Sequence, residues 1–331
     1  MFMSDILFSI IIPTYNSRSY ICETIDSVLT QTYESYEILL IDDCSNDNIF
    51  EEIKLKYPKS NIKTFSNNSK HGPNFSRNFG LQNAVGDYII FLDSDDLLSN
   101  DALRVLNQKL KNSNVDFIYF GFEFISETNK ILGKHYFPSG QFSNTTLIEK
   151  YFTGEITTVC WNKVYSSSFL KENNISFIPD LIHGRDSIFI LNCCLRAQKV
   201  LFIKDVLYYS TVRANSFSRK FTINNLKSII ANLSVVKRIS GDWNIDFKLV
   251  DLYEAKHIRY ILLVASFRLS FSDYFKGLKL FFECKKIQVL FKYHVLSGNS
   301  FLKNIVSVIV CIPFLILPLS WFLNKIKIRP Y

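Results

Sequence analysis

The chain has 331 residues, 48% hydrophobic and 21% charged, with a formal net charge of +8. That is the composition of a folded protein with room for one large α/β domain plus an appended region, or for two domains, and it sets aside a disordered chain. The charge is uneven: from Thr222 onward 16 Lys/Arg face 6 Asp/Glu, interleaved with apolar residues, a pattern that suits an anionic membrane surface better than nucleic acid. The seven cysteines show no C-x-x-C spacing, so reduced cytosolic thiols are expected. The apolar run Phe8–Pro13 is too short for a signal peptide, and Thr14-Tyr15-Asn16 follows where a small-residue cleavage site would be needed.

Phe8 to Pro13 reads as a buried first strand closed by proline. Ser19 to Gln31 carries Ile21, Ile25, Val28 and Leu29 at helical spacing. Glu37 to Ile41 is a second strand, running into Asp42-Asp43-Cys44-Ser45-Asn46-Asp47. A helix near 48–57, a strand near 62–66 and a helix over 74–85 lead to Tyr88-Ile89-Ile90-Phe91-Leu92, a strand buried on both faces. This β-α-β-α-β-α-β order predicts a doubly wound, mostly parallel sheet. Beyond it the pattern predicts a helix over 101–111, strands over 116–124 and 157–165, and a hairpin or loop over 126–145. A helix over 186–197, short strands at 200–203 and 206–209, and a helical region from 222 complete the reading. The tail 305–323 holds no charge, but Pro313 and Pro318 interrupt it and positive residues flank both ends. An interfacial or re-entrant segment is expected there, with a docked apolar helix as the plain alternative.

The strand 88–92 ends in Asp93-Ser94-Asp95-Asp96, and ligands of open α/β sheets bind at the carboxyl ends of the strands. Three carboxylates so close together repel unless solvated or bridged by a divalent cation, for which oxygen ligands suit Mg²⁺ or Mn²⁺. Taken by itself, such a triplet is more often a solvated turn or a helix cap than a metal site. Neither a Gly-x-Gly-x-x-Gly fingerprint nor a phosphate loop is present.

Several segments agree in order and spacing with one family. They are Ser9 to Asn16, Glu23…Ser27…Gln31-Thr32-Tyr33, Glu37-Ile38…Asp42 to Asp47, Gly72…Asn74…Ser76-Arg77-Asn78…Gly80, Ala84…Gly86-Asp87-Tyr88 and Asp93-Ser94-Asp95-Asp96. Trp161-Asn162-Lys163-Val164-Tyr165 and Tyr208-Tyr209…Arg213…Ser216 extend the match over residues 8–218. The chain resembles the inverting family 2 glycosyltransferases of the GT-A fold. The resemblance implies a GT-A catalytic domain over 1–221 and a helical, basic, membrane-associating region over 222–331.

It also implies roles. Asp43 would accept a hydrogen bond from the donor's base, with Pro13, Thr14 and Tyr15 lining that pocket; a turn with capping acids is the alternative for Asp42-Asp43. Asp93 and Asp95 would reach the ribose and a Mn²⁺ or Mg²⁺ ion. Arg77 would belong to the donor-site loop, and Arg213 and Ser216 would close over the diphosphate. Trp161 reads as core or as an acceptor platform, and His183 as a further metal ligand or a bystander. Family members carry Glu then Asp on a loop entering a helix after the Trp-Asn-Lys segment, and the Asp is the base. Here that place reads Arg185-Asp186, so Asp186 is the expected base, Asp180 the second choice and a helix cap the plain alternative. A cation at Arg185 would weaken Asp186 as a base unless it faces an anionic acceptor.

The expected activity is therefore transfer of a sugar from a nucleotide-diphosphate donor, a UDP-sugar, to a hydroxyl of a surface-polysaccharide or lipid-linked acceptor, at the cytoplasmic face of the cell membrane. The competing readings are a degenerate GT-A scaffold, a sugar nucleotidyltransferase, for which the Gly-rich basic loop is missing, and a phosphoacceptor module, which the second acidic cluster argues against.

Overall fold

Strand β1 (Phe8–Thr14) is buried along its whole length and forms the centre of the N-terminal sheet. The computed structural model describes residues 5–58, 62–111, 113–179, 185–213 and 222–269, with a few positions between 272 and 279. β1 pairs in parallel with β2 (Tyr36–Asp42) on one side and β4 (Tyr88–Phe91) on the other, and β2 pairs in parallel with β3 (Ile62–Ser66). The run β3-β2-β1-β4 reverses direction between β1 and β4. That is the switch point where an open α/β sheet leaves a crevice at its carboxyl edge.

Helices α1 (Ile21–Leu29), α2 (Ile49–Lys56) and α3 (Pro73–Asn83) supply the crossovers. α3 lies close on β1: a Cβ placed on Gly80 would come within 2.4 Å of the Ile11 side chain. Gly86, which turns the chain from α3 into β4, is tighter, because its missing Cβ would meet the Ser9 amide nitrogen at 2.6 Å and the Leu7 carbonyl at 2.8 Å. Backbone cannot yield as a side-chain tip does. Gly86→Ala is therefore expected to destabilise the protein by about 1–3 kcal/mol, read as a lower urea midpoint with an unchanged slope.

The second half of the sheet departs from the mostly parallel arrangement expected from sequence. β9 (Lys163–Ser166) inserts between β4 and β6 (Phe117–Ser126), antiparallel to both. β10 (Val200–Val212) runs parallel to β6 but antiparallel to β5 (Leu97–Leu98) and β8 (Gly140–Phe142), and β7 (Ile131–His135) forms a hairpin with β6. The β-α-β half is parallel throughout, whereas in the second half only β6 and β10 pair in parallel; the turn between β6 and β7 is too short to join anything but antiparallel neighbours. The two short strands expected at 200–203 and 206–209 are one strand, with register shifts between Phe202 and Tyr208 that absorb the polar Lys204-Asp205 step. The expected strand over 157–165 is extended only from Lys163; residues 157–162 form a connection.

Helices α4 (Ala102–Lys111), α6 (Ser167–Glu172) and α7 (Arg185–Arg196) belong to the same unit as the sheet. Residues 149–157, from the end of α5 (Asn144–Thr153) onward, group with the C-terminal helices α8 (Ile223–Asp242) and α9 (Phe247–Arg268). Within that second unit the Tyr151 and Tyr253 rings stack with hydroxyls 3.1 Å apart, and the Lys256 ammonium donates to the Thr153 carbonyl at 2.5 Å. Thr222 and Asn225 cap α8 reciprocally. Among the described residues no helix is long and apolar enough to cross a membrane. The tail 305–323 lies outside them.

Candidate active site

The three carboxylates after β4 are not equivalent. Asp96 is buried, with Oδ2 accepting from the Tyr208 hydroxyl at 2.7 Å and Oδ1 from the Thr211 amide at 2.7 Å. Burial, then Asp93 and Asp95, push its carboxyl well above the ordinary range. The Tyr208 oxygen also accepts from the Asp93 amide at 3.2 Å, so one phenol fixes both ends of the acidic turn. Burial raises that phenol's own pKa, which keeps it a donor. Asp96 thus ties β4 to β10 and leaves ligand contacts to its neighbours. Asp95 is pushed up to about 6 by burial and then by Asp93, with Arg213 opposing. Arg213 only partly offsets that rise, and among the described residues Asp95 forms no ion pair.

Asp93 shares a cation with a residue 93 positions away. The buried Arg77 of α3 donates from Nη2 to Asp93 Oδ1 at 2.7 Å and from Nη1 to Asp186 Oδ1 at 3.2 Å. Two flanking asparagines of α3 fix the chain that leads toward α7. Asn78 exchanges two hydrogen bonds with the Phe177 backbone, at 2.8 and 2.9 Å, and the Asn74 amide donates to the Ile178 carbonyl at 2.6 Å. The other Asp186 oxygen, Oδ2, accepts from the Cys160 amide at 3.1 Å. Asp186 lies inside the first turn of α7, and these contacts replace the capping alternative. Among the described side chains Arg77 is a cation in contact with it, which sequence adjacency did not reveal; the side chain of Arg185 lies outside them.

At the end of β1 and β2, Asp43 organises the loop before α3. Its Oδ1 accepts from the Asn67 side chain at 3.0 Å and the His71 amide at 2.9 Å, and its Oδ2 from the Gly72 amide at 2.7 Å. Gly72 has φ +91°, a conformation that disfavours a side chain. The loop brings the Lys70 ammonium 3.6 Å from the centre of the half-exposed Tyr15 ring. Pro13 and Thr14 close β1 beneath it, Thr14 bonded to Ser17 through their hydroxyls. Asp42 forms a turn with Ser45, in line with the plain reading of that residue. An open cleft of about 730 Å³ lies beside this edge, along Asn16, Arg18, Ser19, Asn46, Asp47 and Glu52.

Arg213 directly follows β10, with its guanidinium 4.6 Å above the Tyr20 ring, between Glu23 at 3.7 Å and Glu127 at 3.9 Å, and its buried Nε has no partner. Its influence on Asp95 and on Tyr20 puts it at the acidic turn. Trp161 is core: it stacks on Tyr208 at 4.5 Å and meets Phe122 edge-on. Ser216, His183 and Asp180 lie outside the described residues. Burial pushes the Cys160 and Cys193 thiols well up and Cys194 to about 12, which disfavours thiolate chemistry. Two residues absent from the expected site, Tyr208 and Lys163, sit within the Tyr-Tyr and Trp-Asn-Lys segments; a buried polar side chain inside an apolar strand was the available signal.

Lys163 is fully buried and burial lowers its pKa to about 7. Its folded value lies below the unfolded one, so above pH 7 the unfolded chain binds the extra proton and stability gains with rising pH. Parent stability relative to Lys163→Met is expected to climb from pH 7 to pH 10. Taking the difference cancels the buried thiols and phenols, which act in the opposite direction. Urea unfolding of both proteins across that range checks it.

A parallel sheet with carboxylates crowded at its switch point defines an α/β protein that takes its ligand at the carboxyl edge. The model of Glycosyl transferase family 2 matches residues 9–172, and the chain belongs to that family. UDP-Glc:alpha-D-GlcNAc-diphosphoundecaprenol beta-1,3-glucosyltransferase WfgD of Escherichia coli is 35% identical over 192 residues, covering 53% of this chain and 74% of that protein. Poly(ribitol-phosphate) beta-N-acetylglucosaminyltransferase TarS of Staphylococcus aureus is 28% identical over 209 residues, which is 61% of this chain and 35% of TarS. The chain spans about a third of the length of TarS and of the poly(ribitol-phosphate) beta-glucosyltransferase of Bacillus spizizenii. The crystal structure of S. aureus TarS 1–349 in complex with UDP-GlcNAc has the same GT-A-type fold, with a TM-score of 0.68 at 20% identity over 86% of this chain and 82% of that one.

Proposed function

We propose that this protein transfers a sugar, with inversion, from a UDP-sugar to a hydroxyl of a surface-polysaccharide or lipid-linked acceptor. The observation that carries the reading is the Arg77 bridge, which sets a donor-side carboxylate, Asp93, and a candidate base, Asp186, on one buried guanidinium. Family membership and relatives named for UDP-glucose and N-acetylglucosamine transfer support the donor class. Tyr15, Lys70 and the Asp43 loop form the edge against which the base of the nucleotide would lie. Asp186 takes the proton of the acceptor hydroxyl as its oxygen attacks the anomeric carbon and the bond to the diphosphate breaks. Both its oxygens already accept one hydrogen bond, and each retains a lone pair for that proton. Arg213 offers an unpartnered Nε near the acidic turn and would meet the diphosphate charge.

The residues fit a divalent cation, Mn²⁺ or Mg²⁺. Asp95 is a half-buried carboxylate held up by desolvation and then by the charge of Asp93, while Asp96 and one oxygen of Asp93 are already committed. Mg²⁺ and Mn²⁺ are commonly held by one or two carboxylates together with substrate phosphates, and Asp95 and the free oxygen of Asp93 would supply those carboxylates. Such an ion would neutralise the departing diphosphate. The basic C-terminal region is proposed to hold the protein at the cytoplasmic face of the membrane, near a lipid-linked acceptor.

The test is UDP release by the full chain from a panel of UDP-sugars with Mn²⁺, with and without lipid-linked acceptors. Acceptor-stimulated release from one donor is expected. Absence of both UDP binding and release across the panel would overturn the proposal.

A further inference from the structure

Lys163 opens β9 with its whole side chain out of solvent, and among the described ion pairs it has no carboxylate partner. Its ammonium donates to the Val159 carbonyl at 2.5 Å and to Asn162 Oδ1 at 2.6 Å, and sits 4.1 Å from the centre of the Tyr119 ring. Burying a cation among neutral oxygens and an aromatic face costs more than packing a methionine there would. The carbonyl it holds belongs to the same amide as the Cys160 N–H, which donates to Asp186 Oδ2. A donor on the carbonyl oxygen polarises the amide and strengthens what its N–H gives. Two residues further along β9, the Tyr165 hydroxyl donates to the Cys160 carbonyl at 2.9 Å, which fixes the next peptide.

We infer that Lys163 is a positioning residue for Asp186, acting through the Val159–Cys160 peptide. The inference rests on the proposed role of Asp186 as base. Asp186 is then held from two sides: Arg77 on Oδ1 couples it to the donor carboxylate, and the amide backed by Lys163 on Oδ2 fixes where its free lone pairs point. Loss of the ammonium leaves the carbonyl unpaired and lets the peptide rotate, so the base shifts while the donor site, built on β1, β2, β4 and α3, stays intact.

The experiment uses the full chain with Lys163→Met, and with Lys163→Gln should the first variant fail to fold. Three quantities are read: UDP affinity, kcat and donor KM, and the amide proton resonance of Cys160. The expected result is a loss in kcat of about 10- to 100-fold, the cost of misplacing a reacting group by about 1 Å, with UDP affinity and donor KM within about twofold. The Cys160 amide proton should move upfield, toward its position in Asp186→Asn. Adding Lys163→Met to Asp186→Asn should lower the residual rate no further. An unchanged kcat, or a fall in kcat matched by a rise in donor KM and a weaker UDP affinity, would overturn the inference. If the parent turns over no donor, the proposed function fails, and the Cys160 resonance still decides: the same position in parent and variant refutes the coupling.

Discussion

Asp186→Asn is expected to lower kcat by about 10²- to 10⁴-fold while UDP affinity changes little, because the variant removes basicity and keeps shape. Asp186 accepts from a donor on each side, Arg77 Nη1 and the Cys160 amide. An asparagine offers one acceptor and one donor end, so whichever way it turns, an NH₂ group faces another donor. A local stability loss of about 1–3 kcal/mol should accompany the kinetic one. Arg77 retains Asp93, which is why the donor side should survive. Calorimetric titration with UDP beside single-turnover kinetics separates the two effects. Near-normal turnover would remove Asp186 from the mechanism.

Asp95→Ala should act on the other half of the site. UDP affinity in the presence of Mn²⁺ is expected to weaken by more than about tenfold, or ~1.4 kcal/mol, and transfer should be lost. Stability without metal should hold or rise, since the half-buried carboxylate is desolvated beside Asp93. Its folded pKa of about 6 lies above the unfolded value of 3.8, so between pH 4 and pH 6 the folded state binds the additional proton. Parent stability relative to the variant is therefore expected to be highest below pH 4, to fall as pH rises through that window, and to stay level above it. Metal-supported UDP affinity should run the other way, fading as pH drops below 6 and Asp95 takes up a proton. Full activity in Asp95→Ala, or UDP affinity indifferent to Mn²⁺, would refute the assignment.

The parallel half of the fold was legible because each strand there announces itself. Phe8–Pro13, Glu37–Ile41 and Tyr88–Leu92 are apolar runs of strand length separated by helical periodicity. β5, with two residues, carries too little pattern to be seen, and the four residues of β9 do not show where in the sheet it inserts. Their pairing depends on β10 and on the gap between β4 and β6, both far away in sequence. The hairpin region and the single long β10 were misjudged at their edges for the same reason.

Which residue types gather at the carboxyl edge was written in the chain: acidic turns after two strands, an arginine on the first turns of α3, an aspartate entering α7. Their partners were not. Sequence spacing drew attention to Arg185 beside Asp186, but the ion pair with Arg77 comes from 109 residues away and no spacing announces it. Asp93, Asp95 and Asp96 look alike in the sequence, yet Tyr208 and Thr211 from β10 turn Asp96 into a strut, while desolvation and Asp93 raise Asp95 more than Arg213 lowers it. By itself the sequence determined the elements, because periodicity and turn chemistry are local properties of a few consecutive residues. Only the tertiary structure decided which carboxylate is paired and which is left crowded, because a carboxylate's charge state and free lone pairs are set by the desolvation and donors that distant strands bring to it.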